Sequence, residues 1–168
     1  MKYFFGLIFF FSPFFGLSQD LKILIKEKCL IMTKATIEED YKTVIDYTLP
    51  KIVEMMGGKE AAVAMTKTQM DKMKQDSSFI LKVDLGEPQE IIKVENQLQC
   101  VIPQTLYMSI AGAKYRIDGG TIGVSDDAGK TWYFLNIQQN DLNFLRMFLP
   151  LLSEKHQFPK KTFDLMKD

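Results

Sequence analysis

Histidine, tryptophan and cysteine are scarce in this chain of 168 residues, which holds one His, one Trp and two Cys. The single His156 and the widely separated Cys29 and Cys100 cannot supply the three or four ligands that a zinc site needs. No glycine-rich phosphate loop is present: Gly57-Gly58 follows a helical stretch and lacks the Lys-Ser/Thr that completes such a loop. A G-x-S-x-G nucleophile elbow is missing too. Asp71, Asp76 and Asp84 do not have EF-hand spacing, nor do the acidic residues between Ser125 and Trp132. An excess of one charge sign is also lacking, with 21 basic and 21 acidic residues. A chain so balanced has no electrostatic reason to bind nucleic acid or anionic lipid. These absences imply no metal and no cofactor.

The one long apolar run lies at the start. Lys2 supplies a positive charge, Tyr3 to Phe11 is broken only by Gly6, and Phe14 and Phe15 follow Ser12-Pro13. Gly16 and Ser18 then occupy the small-residue positions of a cut before Gln19. This is the order of a cleavable secretory signal, and the run is shorter than the roughly 20 apolar residues of a membrane span. Residues 1–18 are therefore read as a signal peptide and 19–168 as a single exported domain, periplasmic or secreted. No membrane span is expected in the mature chain. Its 150 residues carry 20 basic and 21 acidic groups, enough length for a real core. An oxidising compartment permits a Cys29–Cys100 disulfide; two buried free thiols are the alternative.

Periodicity divides the mature chain in two. Leu21, Leu24, Ile25, Cys29 and Met32 recur at helical spacing. Thr36 with Glu39 reads as a capping box opening a second helix, whose apolar face holds Ile37, Tyr41, Val44, Ile45 and Tyr47. Pro50 ends it or opens a short third stripe of Ile52, Val53 and Met56, which Gly57-Gly58 stops. Lys59 to Lys74 is a further helix. The period then changes to two. Phe79 to Leu85 is a strand, Gly86-Glu87-Pro88 a turn, and Ile91 to Val94 a second strand. Leu98 to Ile110 makes a long third, in which Pro103 suggests an edge or a bulge. Tyr115 to Val124 is a fourth, bent at Gly119-Gly120, and Thr131 to Ile137 a fifth. Asn140 caps a last helix through Leu149. The expectation is an α+β fold: N-terminal helices covering a bent antiparallel sheet of about five strands, with a short C-terminal helix.

Ser125, Asp127, Gly129, Thr131 and Trp132 form the most regular motif. They match the pattern S-x-D-x-G-x-T-W, the Asp box known from sialidase propellers. A propeller needs several blades, and one copy cannot build one. The reading is structural: Gly129 takes a positive φ, Asp127 bonds nearby backbone N–H groups, and Trp132 packs the hairpin turn onto the core.

The order of elements resembles the nuclear-transport-factor-two-like or cystatin-like group, within it small exported bacterial proteins of no assigned activity. The residues that carry the resemblance are Asp46-Tyr47-Thr48-Leu49-Pro50, Gly57-Gly58-Lys59-Glu60, Gly86-Glu87-Pro88, Val101-Ile102-Pro103-Gln104-Thr105, Ser125 to Trp132 and Phe148-Leu149-Pro150. The resemblance implies a cone-shaped fold in which helices face the concave side of the sheet. The enzymes of that group, such as ketosteroid isomerase and scytalone dehydratase, carry a β-hairpin between their second and third helices. Leu49 to Lys59 offers no such hairpin, and no catalytic residue is transferred.

Two functions follow. The first is a non-enzymatic binding or assembly module for a small apolar ligand or a protein partner, with a homodimer left open. Tyr41, Tyr47, Met65, Met73, Met108, Trp132 and Phe134 are the side chains that would line or fill its cone. Helical Met55, Met56 and Met70 read as core or as an adaptable surface. The second is a small lyase or isomerase using a carboxylate in the cone, with Asp46, Asp84 or Asp118 as base. The first is preferred because no acid/base pair stands out. His156, in a polar stretch, reads as solvated.

Overall fold

The computed structural model describes residues 14–137 and 142–167. Met1 to Pro13, most of the expected signal peptide, and Asn140, the expected cap, lie outside the described residues. The chain is α+β, with helices first, a curved antiparallel sheet next and a short helix near the C-terminus. The helices are α1 (Phe14–Ile37), α2 (Tyr41–Asp46), α3 (Pro50–Met55), α4 (Lys59–Gln75) and α5 (Leu142–Phe148). The strands are β1 (Ser78–Leu85), β2 (Ile92–Val94), β3 (Gln97–Ile110), β4 (Ala113–Ser125), β5 (Tyr133–Ile137) and β6 (Asp164–Leu165). Among the described residues no helix is long and apolar enough to cross a membrane.

The main path of the sheet is β1-β3-β4-β5, with β2 added to β3 and β6 added to β4. Strand alternation sends the long central strands to two cores. Cys100 and Ile102 of β3 face Ile25, Cys29 and Met32 of α1, together with Trp132 and Phe134. Val101, one residue out of phase, faces the other way and meets Ile122, Val124, Ile137, Leu145, Leu149 and Leu152. One face of the sheet is thus covered by α1. The other is covered by α5 and the segment after it. A third, smaller cluster of Ile45, Val53 and Ala62 ties α2, α3 and α4 together.

Gly123 lets α1 come this close. A Cβ there would sit 2.6 Å from Ile25 Cδ1 and 3.0 Å from Phe134 Cε1. Each fully buried aliphatic or aromatic side chain on this face contributes about 1.5–3 kcal/mol. α4, expected to help cover the sheet, buries only Ala62 and packs mainly on α2 and the edge strand β1.

Several expectations are corrected. Thr36 is the penultimate residue of α1, its hydroxyl bonded to Met32 O at 2.9 Å. The second helix begins at Tyr41, capped by Asp40, whose Oδ1 accepts Thr43 N–H at 3.2 Å. Glu39 takes a positive φ of 64° in the turn between them, and its carboxylate pairs with Lys74 at 2.5 Å rather than reaching back to Thr36.

Pro103 lies in β3 opposite Gly120, on a stretch whose other side pairs with no strand, since β1 reaches only Gln104 and β2 only Gln99, so the expected edge holds locally. Its carbonyl accepts Gly86 N–H at 2.7 Å. The N and C=O of one strand residue share an edge, so the missing N–H falls where β1 has ended at Leu85 and no ladder bond is lost. β4 pairs with β3 continuously through Gly119-Gly120, and Gly120 makes room for Pro159, 3.2 Å from where its Cβ would lie. β6 adds the sheet's sixth strand, a two-residue element too short to show a period.

Candidate functional site

A cleft of about 420 Å³ opens where α1, α2, α3, β5 and α5 meet. Its walls are Met32 and Thr36 from α1, Val44 from α2 and Thr48 just after it, and Ile52 from α3. Phe134, Leu135 and Asn136 of β5 form the floor, and Phe144 and Phe148 of α5 the far wall. Helical spacing sets that wall: residues four apart share a face, and the two Phe rings meet edge to face at 5.1 Å. The near wall is held by a short parallel bridge. Phe134 N–H donates to Tyr47 O at 2.8 Å, and Leu49 N–H to Phe134 O at 3.1 Å.

The hydroxyls in this cleft are already engaged. Thr36 Oγ1 donates to Met32 O at 2.9 Å and Thr48 Oγ1 to Val44 O at 2.8 Å. Both bond back to a carbonyl one turn earlier, which uses up their O–H donors. Asn136, exposed on β5, supplies the remaining polar side chain. None of the lining residues among those described is ionisable. The cleft can therefore bind apolar surface and offer a side-chain amide. It offers no general acid or base.

Of the seven side chains expected in the cone, Phe134 alone lines this cleft. Trp132, 2 % exposed, is core, with its indole N–H donating to Gly129 O at 3.0 Å. Tyr47 packs against the same cluster, its ring 6.4 Å from that of Phe134. Tyr41 is buried on α2, and its hydroxyl has no hydrogen-bond partner among the described residues. Met108 is buried on β3, Met73 half-buried on α4, and Met65 points outward from α4 at 54 % exposure. The helical methionines thus do not gather. The nine other lining residues, Thr48, Asn136, Phe144 and Phe148 among them, are not on the expected list; they come from separate elements, and no local pattern joins them.

The candidate carboxylates lie elsewhere and are committed. Asp46 is paired with Lys59 at 2.5 Å and Lys42 at 3.1 Å, and hydrogen bonds from the two lysines hold its pKa below the usual range. Asp84 pairs with Lys82 at 2.9 Å. Asp118 accepts from Thr105 Oγ1 at 2.7 Å, from Arg116 and from Thr162 Oγ1 at 3.2 Å. The Thr105 bond leads in lowering its pKa. Among the described residues no cluster of three His, Cys, Asp or Glu side chains could hold a metal ion.

His156 is buried rather than solvated. Its Nε2 lies 3.1 Å from Oε1 of Gln99, a fully buried glutamine. That Oε1 also accepts Ser153 N–H at 3.0 Å, while Gln99 Nε2 donates to Leu151 O at 2.9 Å. The two bonds fix the amide orientation, so His156 Nε2 must carry the proton. Burial holds its pKa below the ordinary 6.5. Gln99 thus fastens the C-terminal segment to the sheet.

Cys29 and Cys100 are free and fully buried in one cluster, and burial pushes both thiols up to about 12.

The hairpin turn between β4 and β5 is closed by its own side chains. Ser125 Oγ donates to Asp127 Oδ1 at 2.8 Å and accepts Gly129 N–H at 2.9 Å. Asp127 also accepts the N–H groups of Lys130 at 3.0 Å and Thr131 at 2.9 Å, and the Thr131 hydroxyl. Those bonds, Thr131 foremost, bring its carboxyl down to about 2. Gly129 has φ of 90°, and a Cβ there would lie 2.6 Å from Leu21 Cδ2 of α1.

The chain matches no family model, no curated protein and no solved structure.

Proposed function

We propose that this chain is an exported, non-enzymatic binding module that takes an apolar ligand, or the apolar part of a protein partner, in the cleft between the helices and β5. The observation that carries the reading is the cleft's chemistry. It has about 420 Å³ of space, aromatic and aliphatic walls, two threonine hydroxyls bonded to backbone and one amide. Ligand sites are typically about 300–1,000 Å³, apolar, with few polar groups.

The carboxylate chemistry of an isomerase or lyase finds less support. A general base working near neutral pH needs a raised pKa. Asp46 and Asp118 are instead held low by hydrogen-bonding partners, and neither lines the cleft. The order of helices before a curved sheet agrees with the nuclear-transport-factor-two-like resemblance, in which helices face the concave side of the sheet.

The test is titration with an uncharged apolar fluorophore. The wild type should bind it saturably. Ile52→Asp should weaken binding by roughly tenfold or more, since it places a charge on an apolar wall. Phe148→Trp, which adds bulk to the far wall without charge, should weaken it as well. Saturable binding unchanged by both substitutions, or no binding by the wild type, would contradict the assignment. Export is read separately: mass spectrometry of the exported product should give an N-terminus at Gln19, and an intact Met1 would refute the signal-peptide reading.

A further inference from the structure

α1 keeps an apolar stripe that the fold covers only in part. Ile23, Leu30 and Ile37 are 59, 41 and 42 % exposed. They fall seven residues apart, so they stand in line on one side of the helix over about 21 Å. Ile25 and Met32, which serve the core, project from the far side of the helix. Beside the stripe, on one flank, lie the exposed Glu27 and Lys34. Neither has an ion-pair partner among the described residues. On the other flank Lys26 is already paired with Glu87 at 2.5 Å.

We propose that this stripe is a self-association surface, and that its occupant is α1 of a second copy of the chain, packed antiparallel about a two-fold axis at Leu30. The spacing is self-complementary. Ile23 and Ile37 are equidistant from Leu30, so each meets the other's counterpart in the second copy, and Leu30 meets itself. Charge matches in the same register. A two-fold axis across the helices keeps residues of one flank on one side. Glu27, three residues before the axis, then lies beside Lys34 of the second copy, four residues after it. At 1.5 Å per residue they differ by about 1.5 Å along the helix. The pair forms twice, once for each copy. The surface is turned away from the Met32 side that forms the cleft, so pairing leaves the cleft open. Three apolar side chains a copy make an interface below the about 1,200 Å² of standard specific complexes. The dissociation constant should accordingly fall in the range of tens to hundreds of micromolar, roughly −5 to −6 kcal/mol.

Sedimentation equilibrium on the intact protein from about 10 μM to 1 mM, a range that brackets this affinity, tests the proposal. The wild type should pass from monomer to dimer. Leu30→Glu, which sets two carboxylates against each other on the axis, should raise the dissociation constant roughly tenfold or more. Glu27→Lys should raise it about twofold to fivefold, and Glu27→Lys with Lys34→Glu should restore it, as expected for exposed pairs. Leu30 and Glu27 are exposed, and an unchanged melting curve shows that each variant is folded. A protein monomeric up to the highest concentration would overturn the proposal and leave the stripe to a different partner. A dimer indifferent to Leu30→Glu would overturn it too, because the copies would then meet elsewhere.

Discussion

His156 shows how much a single side chain can depart from its sequence surroundings. Lys155 and Gln157 flank it, and both are exposed, so a local reading sends it to solvent. A glutamine 57 residues earlier in the chain reverses that outcome, because Gln99 is buried and needs a donor for its Oε1. The consequence is measurable. Burial depresses the folded pKa of His156 below the unfolded value of about 6.5. At pH between those two values the unfolded chain binds more protons than the folded one, so stability rises with pH there. As pH falls, the loss begins near 6.5 and is complete once pH is below the folded value. Urea melts of the wild type should become less stable across this window. His156→Phe should lack that slope, and an identical slope in both proteins would contradict the burial of a neutral imidazole.

Hairpins and helices were legible to different degrees. The period-two stretches place β1, β3, β4 and β5 within a residue or two, since alternation survives whatever packs against a strand. Pro50 and Gly57-Gly58 bracket α3 because fixed φ and positive φ act locally. The Thr36–Glu39 pair misled because a capping box and the last turn of a helix can carry the same residues. Only the contacts of α1 with the sheet decide between them.

The turn at Ser125 to Trp132 joins two elements, and Gly129 carries the joint. Its φ of 90° excludes an easy side chain, and Leu21 occupies the space a Cβ would take. Gly129→Val should therefore destabilise by about 2 kcal/mol through backbone strain alone. The effect is read as a lower urea midpoint with little change in slope. An unchanged midpoint would show that neither the turn nor the α1 contact needs glycine.

At the scale of the molecule, the two faces of one sheet are covered by different parts of the chain, α1 on one and α5 with its following segment on the other. Fold class follows from composition and period, because helices before strands leave few ways to cover a sheet. The cleft does not follow from them. It is the gap left where five elements meet, and its walls come from residues 32 to 148. Tyr41, Met65 and Met73 looked like pocket residues because each lies on an apolar helical face. Tyr41 of α2 is instead buried, and α4, which carries the two methionines, buries only Ala62. The cleft residues Thr48 and Asn136 are polar, so hydrophobic patterning passes over them.

Backbone and side-chain amide NMR spectra recorded during titration with an uncharged apolar ligand test the central claim most directly. Saturable shifts should gather at Thr36, Thr48, Ile52, Leu135, Phe148 and the side-chain amide of Asn136. Gly129 and its turn, which do not line the cleft, should stay still. Shifts that saturate around the Ser125–Trp132 turn or along β1, with the Asn136 amide unmoved, would contradict the assignment of the cleft as the binding site.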